Sequence, residues 1–151
     1  MKVISIKNTP VKIEKGNVIY NPSIDLRNAE LPETVSIRLE SEYTRIDFLY
    51  KAKSYYLRGG WVNMRGDAFI RPAGTVTQYP LVRAVNIPLS PEKHFFQSSM
   101  EFLAYTLFFP ALPAEVSKID IIEHEGPGGN WFNFYGVSLQ KVKRELVMVN
   151  N

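Results

Sequence analysis

The sequence contains no cysteine and only two histidines, His94 and His124. The absence of cysteine excludes a disulfide framework, a thiol nucleophile, a thioredoxin-type redox pair and cysteine-ligated zinc. Two histidines are too few for a three-histidine metal site within one chain. We therefore predict a protein without a metal ion, without a cofactor and without catalytic residues.

Long apolar runs are missing as well. No segment approaches the roughly 18 to 20 apolar residues that a membrane-spanning helix needs, so no membrane span is expected. Residues 1–7 contain an early lysine but neither an apolar stretch nor a small-residue cleavage site. They predict a first strand and no export signal in this chain. The compartment stays open, and the cell envelope would be compatible if the chain were trimmed from a longer protein.

The excess of one sign of charge over the other is small. The chain has 18 basic and 15 acidic residues, which gives a formal net charge of +3. Residues 1–75 contribute 12 basic and 8 acidic residues, so the surplus lies in the first half and is interleaved with acids. Proteins that bind nucleic acid usually cluster their basic residues on one face. The pattern therefore disfavours a nucleic-acid partner.

Turn-forming residues and short apolar segments, by contrast, are plentiful. Ten prolines and nine glycines divide the 151 residues into short segments in which apolar and polar residues alternate. Eight to ten short strands without a convincing helix are typical of an all-β antiparallel sandwich or barrel. The length favours one domain over residues 1–151. Residues 140–151 are interpreted as a final strand or as a lead to a region that is missing.

Individual segments carry this prediction. Pro10 is expected to separate the first strand from a run at 11–13. Alternation on odd positions from Val35 to Leu39 and on even positions from Ile46 to Tyr50 predicts two strands with a bulge or turn near 41–43. Further strands are predicted where alternation or apolar runs recur, at Tyr79–Val85, Glu101–Phe109, Lys118–Glu123 and Trp131–Leu139, and the last apolar run, Val142–Val149, is either a final strand or a lead to a missing region. The segment Glu101–Phe109 is apolar on both faces, which indicates a strand near the centre of the sandwich.

A series of motifs from Trp61 onward resembles an uncharacterised accessory domain of Bacteroidetes proteins. In that family the domain often precedes thioredoxin-like, peptidase-like or tetratricopeptide modules. The resemblance covers roughly residues 35–139 and implies an immunoglobulin-like β-sandwich without an established catalytic role. It assigns no functional residues. The motifs are, in chain order, Trp61-Val62-Asn63, Ile70-Arg71-Pro72, Asn86–Lys93, Thr106–Pro113, Ile119–Glu123 and Phe132–Val137.

Three segments could carry chemistry, and each has a simpler interpretation. In Glu123-His124-Glu125, strand geometry would point the histidine away from both carboxylates, so a polar turn is favoured over a metal site or a hydrolase centre. The glycine-rich segment 126–130 lacks the Lys-Ser/Thr and the helix of a phosphate-binding loop, and it predicts a hairpin loop. Ser98-Ser99 lies near His94 in sequence but lacks the glycine-flanked turn of a serine nucleophile.

The aromatic residues are the more informative set. Tyr55, Tyr56, Trp61 and Trp131 fall at predicted strand ends or loops, as does the pair Phe95-Phe96. Adjacent residues on a strand face opposite sides, so one of each aromatic pair is expected to be exposed. Plugging the ends of the sandwich is the alternative. Exposed Tyr and Trp are favoured in protein interfaces, and they also stack on sugars or bases.

These observations predict a non-catalytic binding or assembly module. Its partner is expected to be another protein, or a second copy of the chain, contacted through exposed aromatics or an edge strand. The predicted binding residues are Tyr55, Tyr56, Trp61 and Trp131. A carbohydrate-binding module that uses the same aromatics is the alternative, and a hydrolase is the least favoured hypothesis.

Overall fold

The computed structural model describes residues 2–11, 16, 18–29 and 32–150. These residues form fourteen strands and no helix, and every pairing between strands is antiparallel. The all-β antiparallel prediction is confirmed. The strands are β1 Lys2–Val11, β2 Val18–Tyr20, β3 Ile24–Arg27, β4 Glu33–Leu39, β5 Tyr43–Lys51, β6 Trp61–Val62, β7 Phe69–Pro72, β8 Tyr79–Pro80, β9 Arg83–Val85, β10 His94–Phe95, β11 Phe102–Pro110, β12 Lys118–Ile122, β13 Phe134–Ser138 and β14 Lys141–Asn150.

Two five-stranded sheets enclose one core. The first has the order β2-β4-β5-β11-β9 and the second has the order β3-β13-β12-β7-β8. Both sheets contribute to one cluster of buried apolar side chains. The ring centroids of Phe48 on β5 and Phe134 on β13 lie 6.0 Å apart within it. This arrangement is a β-sandwich. The fourteen strands exceed the eight to ten expected, because five of them have only two or three residues.

Alternation identifies the buried face of β5 but fails in part of β4. Ile46, Phe48 and Tyr50 are buried as predicted. Val35, expected to share the inward face with Ile37, is instead exposed. The β4–β5 register shifts between Thr34 and Ser36, so an irregularity in the ladder turns Val35 outward.

Two other strand predictions need correction. The segment Tyr79–Val85 is not one strand, because β8 pairs with β7 in one sheet and β9 pairs with β11 in the other. The chain therefore crosses between the sheets at this segment. β11 was expected to be buried on both faces, but only the face with Leu103, Tyr105, Leu107 and Phe109 is buried.

The first and last strands form a separate two-stranded ribbon. β1 pairs with β14 over ten residues, from Lys2 opposite Asn150 to Val11 opposite Lys141. Pro10 was expected to end the first strand, but β1 continues through it, which a strand with an open edge tolerates. The predicted run at 11–13 lies mostly outside the described residues. The segment 142–149, interpreted as a final strand or a lead to a missing region, lies within β14.

Candidate binding surface

The loop between β5 and β6 is closed on itself by its backbone. The N–H of Lys53 donates to the carbonyl of Gly59 (3.1 Å), and the N–H of Gly59 donates to the carbonyl of Tyr56 (3.1 Å). Gly59 has a φ of +85°, and a Cβ there would lie 2.6 Å from the Cβ of Ala52. This position therefore requires glycine. The tight closure presents the side chains of the loop to solvent.

The loop exposes an unusual amount of apolar surface. Leu57 is 95% exposed, and Tyr55 and Tyr56 are both exposed, with their ring centroids 4.6 Å apart. A Cβ at Gly60 would lie 2.9 Å from the ring of Tyr56, so that ring covers the backbone just before β6. The loop therefore extends an apolar surface toward Trp61.

The short β6–β10 pair continues this surface. Trp61 lies opposite Phe95 in the register, and residues directly opposite each other on antiparallel strands share a face. Phe95 is 61% exposed, whereas Phe96 is 2% exposed and stacks on Tyr50 in the core with ring centroids 5.8 Å apart. The expectation that one member of this pair faces solvent is confirmed.

Together these side chains form an open groove of about 550 Å³. We call it the aromatic groove, and it is lined by Tyr56, Leu57, Arg58, Gly60, Trp61, Phe95, Phe96 and Gln97. Arg58 is the charged residue of this lining, and Gln97 adds an amide. The groove is thus an apolar surface with one cation and few hydrogen-bonding groups.

Cations also flank the groove. The Nζ of Lys93 lies 4.4 Å from the ring centroid of Trp61, and the Nζ of Lys53 lies 5.7 Å from that of Tyr55. Burial lowers the pKa of Lys53, but a hydrogen bond with Tyr55 and the neighbouring tyrosines outweigh it, so the net pKa is raised. Lys53 therefore keeps its charge at neutral pH. The surface is suited to an apolar ligand that also carries negative charge.

Trp131 does not belong to this surface. Its ring lies 4.7 Å from that of His124 and 5.6 Å from the guanidinium of Arg65, and it does not line the aromatic groove. It is partly buried, and its indole N–H, within the described residues, has no hydrogen-bond acceptor. Of the four predicted residues, Tyr56 and Trp61 line the groove, Tyr55 lies beside Tyr56 outside that lining, and Trp131 lies elsewhere. Both members of Trp131-Phe132 are partly buried, unlike the expected alternation.

The three side chains of the segment Glu123-His124-Glu125 contact different groups. Buried Glu123 accepts hydrogen bonds from the backbone N–H groups of Phe132 (2.9 Å) and Arg65 (3.1 Å), while Glu125 pairs with Arg71. Burial raises the pKa of Glu123, and those two hydrogen bonds oppose the shift. These contacts stabilise the connection between β12 and β13. Among the described residues, no group of three His, Asp or Glu is placed to hold a metal ion.

Leu57 and Phe95 were missing from the predicted binding set. Phe95 could have been found, because in an extended segment one member of the adjacent pair Phe95-Phe96 faces away from the core. Leu57 carried no such signal, since a lone leucine in a loop is as easily buried as exposed. Its exposure depends on how the loop closes around Gly59.

The described part of the chain contains no helix long and apolar enough to cross a membrane. Comparison with protein-family models, with curated proteins and with solved structures gives no match for this chain. Function must therefore be inferred from the groove and the fold themselves.

Proposed function

We propose that this protein is a non-catalytic binding module that contacts a protein partner through the aromatic groove. The observation that supports the proposal is the contiguous exposure of Tyr56, Leu57, Trp61 and Phe95 on one surface. Contiguous apolar surface with a polar rim is typical of interaction sites. Tyr, Trp and Arg are also the residues that most often dominate binding energy in protein interfaces.

The chemistry of the groove favours a peptide segment with apolar side chains and a carboxylate. The apolar lining would cover the side chains, and Arg58 with its planar guanidinium would pair with the carboxylate. Lys93 and Lys53 at the margin add to the attraction for negative charge. An acidic residue next to a large apolar residue is therefore the expected core of the recognised sequence.

A carbohydrate is the second candidate, and the exposed ring of Trp61 supports it, because sugars stack on such rings. Two observations favour a protein partner over a carbohydrate. Lys93 occupies one face of the Trp61 ring. The lining also offers few hydrogen-bonding groups for hydroxyls, and a sugar site needs precisely placed polar groups.

The immunoglobulin-like topology and the kinship with the Bacteroidetes accessory domain stay predictions within this proposal. The sheet orders and the absence of described helix are compatible with both. The same holds for the absence of catalysis, which an activity screen against ester, glycoside and peptide substrates would test.

A peptide library tests the proposal directly. Peptides selected on the wild-type protein are expected to be apolar and acidic and to lose affinity about 10- to 100-fold with Trp61→Ala or Tyr56→Ala, as hot-spot truncations do. Arg58→Ala should weaken acidic peptides more than neutral ones. Tyr20→Ala is the matched control, because Tyr20 is an exposed tyrosine on β2, outside the groove.

Binding would be measured by titration calorimetry, with circular dichroism to confirm that each variant folds. Selected peptides that bind the Trp61 and Tyr56 variants unchanged would remove the groove as the site. A glycan array run in parallel separates the two candidates. A glycan signal lost in the Trp61 variant, without peptide selection, would favour the carbohydrate alternative.

A further inference from the structure

Among the residues that the structure describes, no other strand covers the β1–β14 ribbon. Neither strand pairs with any other strand, and no described residue of either strand belongs to the buried core. A two-stranded ribbon alone in water is marginally stable at best. A ribbon of ten residue pairs therefore needs another surface to stabilise it.

The half of the ribbon far from the sandwich carries its apolar side chains. Ile4 lies opposite Met148 and Ile6 lies opposite Leu146, so these four share one face. All four are strongly exposed, with Ile4 at 64% and Leu146 at 72%. The other face carries Val3 opposite Val149, both exposed, and Val147. The face with Ile4 and Met148 is thus apolar and open, whereas the other face is apolar but partly covered at Val147.

Positions 3–6 and 146–149 of the ribbon carry no charge. The sequence of the two strands contains five basic residues and one acidic residue, which gives a net charge of +4, and all of these lie outside those positions. Proteins protect open strand edges with lysines, prolines, bulges or short length. In the far half the only charged residue is Lys2 at the tip, so positions 3–6 and 146–149 have the character of a pairing edge.

We propose that two copies of the chain associate by antiparallel pairing of their β14 strands about a two-fold axis at Val147. This inference shares with the proposed function only the kind of partner, another protein chain, and it uses a different surface. In this register Leu146 of each copy faces Met148 of the other, and Val147 faces its own symmetry mate. The result is a four-stranded sheet with eight apolar side chains, those of Ile4, Ile6, Leu146 and Met148 from both copies, on one face.

The distribution of charge is compatible with this arrangement and disfavours in-register parallel pairing of the two β14 strands. Pairing about Val147 places position 144 opposite position 150, so the two copies of Arg144 are six residues apart along the strand, about 20 Å. That separation exceeds twice the screening length of about 8 Å at physiological ionic strength. Parallel pairing would set Arg144 opposite Arg144, and like charges directly opposite are destabilising.

The choice of β14 over β1 follows from composition. Positions 146–149 are four consecutive apolar residues with a β-branched valine at the centre, whereas the equivalent pairing of β1 would centre on Ser5. Cross-strand pairs of β-branched residues stabilise a sheet more than a pair of serines.

An anionic membrane is the competing occupant for a basic, apolar ribbon. The open edges of both strands argue against it, because backbone N–H and C=O groups left unpaired in hydrocarbon cost several kcal/mol each. A second copy satisfies the backbone groups of the β14 edge and covers apolar side chains at the same time.

Single-cysteine variants test the register, since the natural sequence contains no cysteine. Val147→Cys should form a disulfide-linked dimer under mild oxidation, because the two cysteines would lie directly opposite each other. Lys7→Cys, an exposed position on the ribbon away from this axis, should not form a disulfide-linked dimer. Crosslinking through Ser5→Cys but not through Val147→Cys would overturn the assignment to β14.

Sedimentation velocity tests the association itself. Leu146→Lys with Met148→Lys should raise the dimer dissociation constant at least tenfold, whereas Val76→Lys, at a 90% exposed position outside the ribbon, should not. Trp61→Ala should also leave the dimer intact, so loss of groove binding and loss of self-association are distinguishable. A wild-type monomer at 100 µM, or binding to phosphatidylserine vesicles without dimer formation, would overturn the proposal.

Discussion

The sandwich and the β1–β14 ribbon both contain strands with alternating apolar residues, but these residues are buried in the sandwich and exposed in the ribbon. β5 buries Ile46, Phe48 and Tyr50, because the second sheet lies over that face. β1 carries Ile4 and Ile6 in the same alternation, yet both are exposed. Alternation therefore identifies which side chains share a face, whereas burial depends on whether another layer covers that face.

The edges of the two regions differ in the same way. The five-stranded sheets end in β2, β9, β3 and β8, which have between two and four residues. Such short edge strands offer little backbone for pairing with another molecule. The ribbon presents two edges of ten residues each. The sandwich is thus protected against edge association, and the ribbon is built for it.

The largest expected effect contrasts the two regions by truncation. Phe134→Ala should destabilise the fold by about 3–5 kcal/mol, because this fully buried ring contacts Phe48 across the core. Leu146→Ala in the ribbon should change the free energy of unfolding of the monomer by less than about 0.5 kcal/mol. Urea unfolding at low protein concentration measures both. Equal losses would mean that the ribbon is part of the folded core.

A smaller effect is expected at Asp47, on the outer face of β5. Its carboxylate accepts hydrogen bonds from Ser36 Oγ (2.8 Å), Thr106 Oγ1 (2.6 Å) and Arg45 Nε (3.0 Å), which link β4, β5 and β11. Asp47→Ala should cost about 2 kcal/mol at neutral pH, since the two hydroxyls lose their acceptor. Glu42→Ala, at an exposed turn position, should change little.

The same residue gives a pH dependence. Burial raises the pKa of Asp47, but the three hydrogen bonds outweigh burial and hold the net pKa below the ordinary value of 3.8. The carboxylate therefore stabilises the fold above pH 3.8, and this contribution is lost as the pH falls through the lower folded-state value. The stability difference between wild type and Asp47→Ala should shrink in acid. A difference independent of pH from 7 to 2 would contradict this account.

The smallest free energies are expected for opening of the ribbon. In a dilute, monomeric sample, amides at positions 3–6 should exchange at least about 100-fold faster than those at 46–50, because no described strand beyond β1 and β14 stabilises the ribbon. Mass spectrometry of exchanged peptides measures this contrast. Slow exchange of the ribbon in the monomer would show that it is stabilised within one copy. Protection of 146–149 that increases with concentration would support pairing through β14.

The sequence was a sound guide where structure depends on neighbours along the chain. The alternation in β5, the turn near 41–43 and the outward Phe95 all follow from local backbone geometry. Val35 was placed wrongly for a different reason, and Trp131 lies apart from the groove. A register shift turned Val35 outward, and packing against His124 and Arg65 held Trp131 away from the groove. The β4–β5 register and the contact between Trp131 and Arg65 join residues that are distant in sequence, so spacing along the chain does not reveal them.

The sequence by itself determined that this chain is all-β, since short alternating segments between prolines and glycines allow little else. It also directed attention to exposed aromatics, because Tyr55, Tyr56 and Trp61 fall where strands end. Only the tertiary structure decided which apolar residues would be covered. Pairing of β6 with β10 assembled the aromatic groove, and pairing of β1 with β14 set four apolar side chains on one open face. The physical reason is that burial depends on non-local pairing, which the local pattern permits but does not specify.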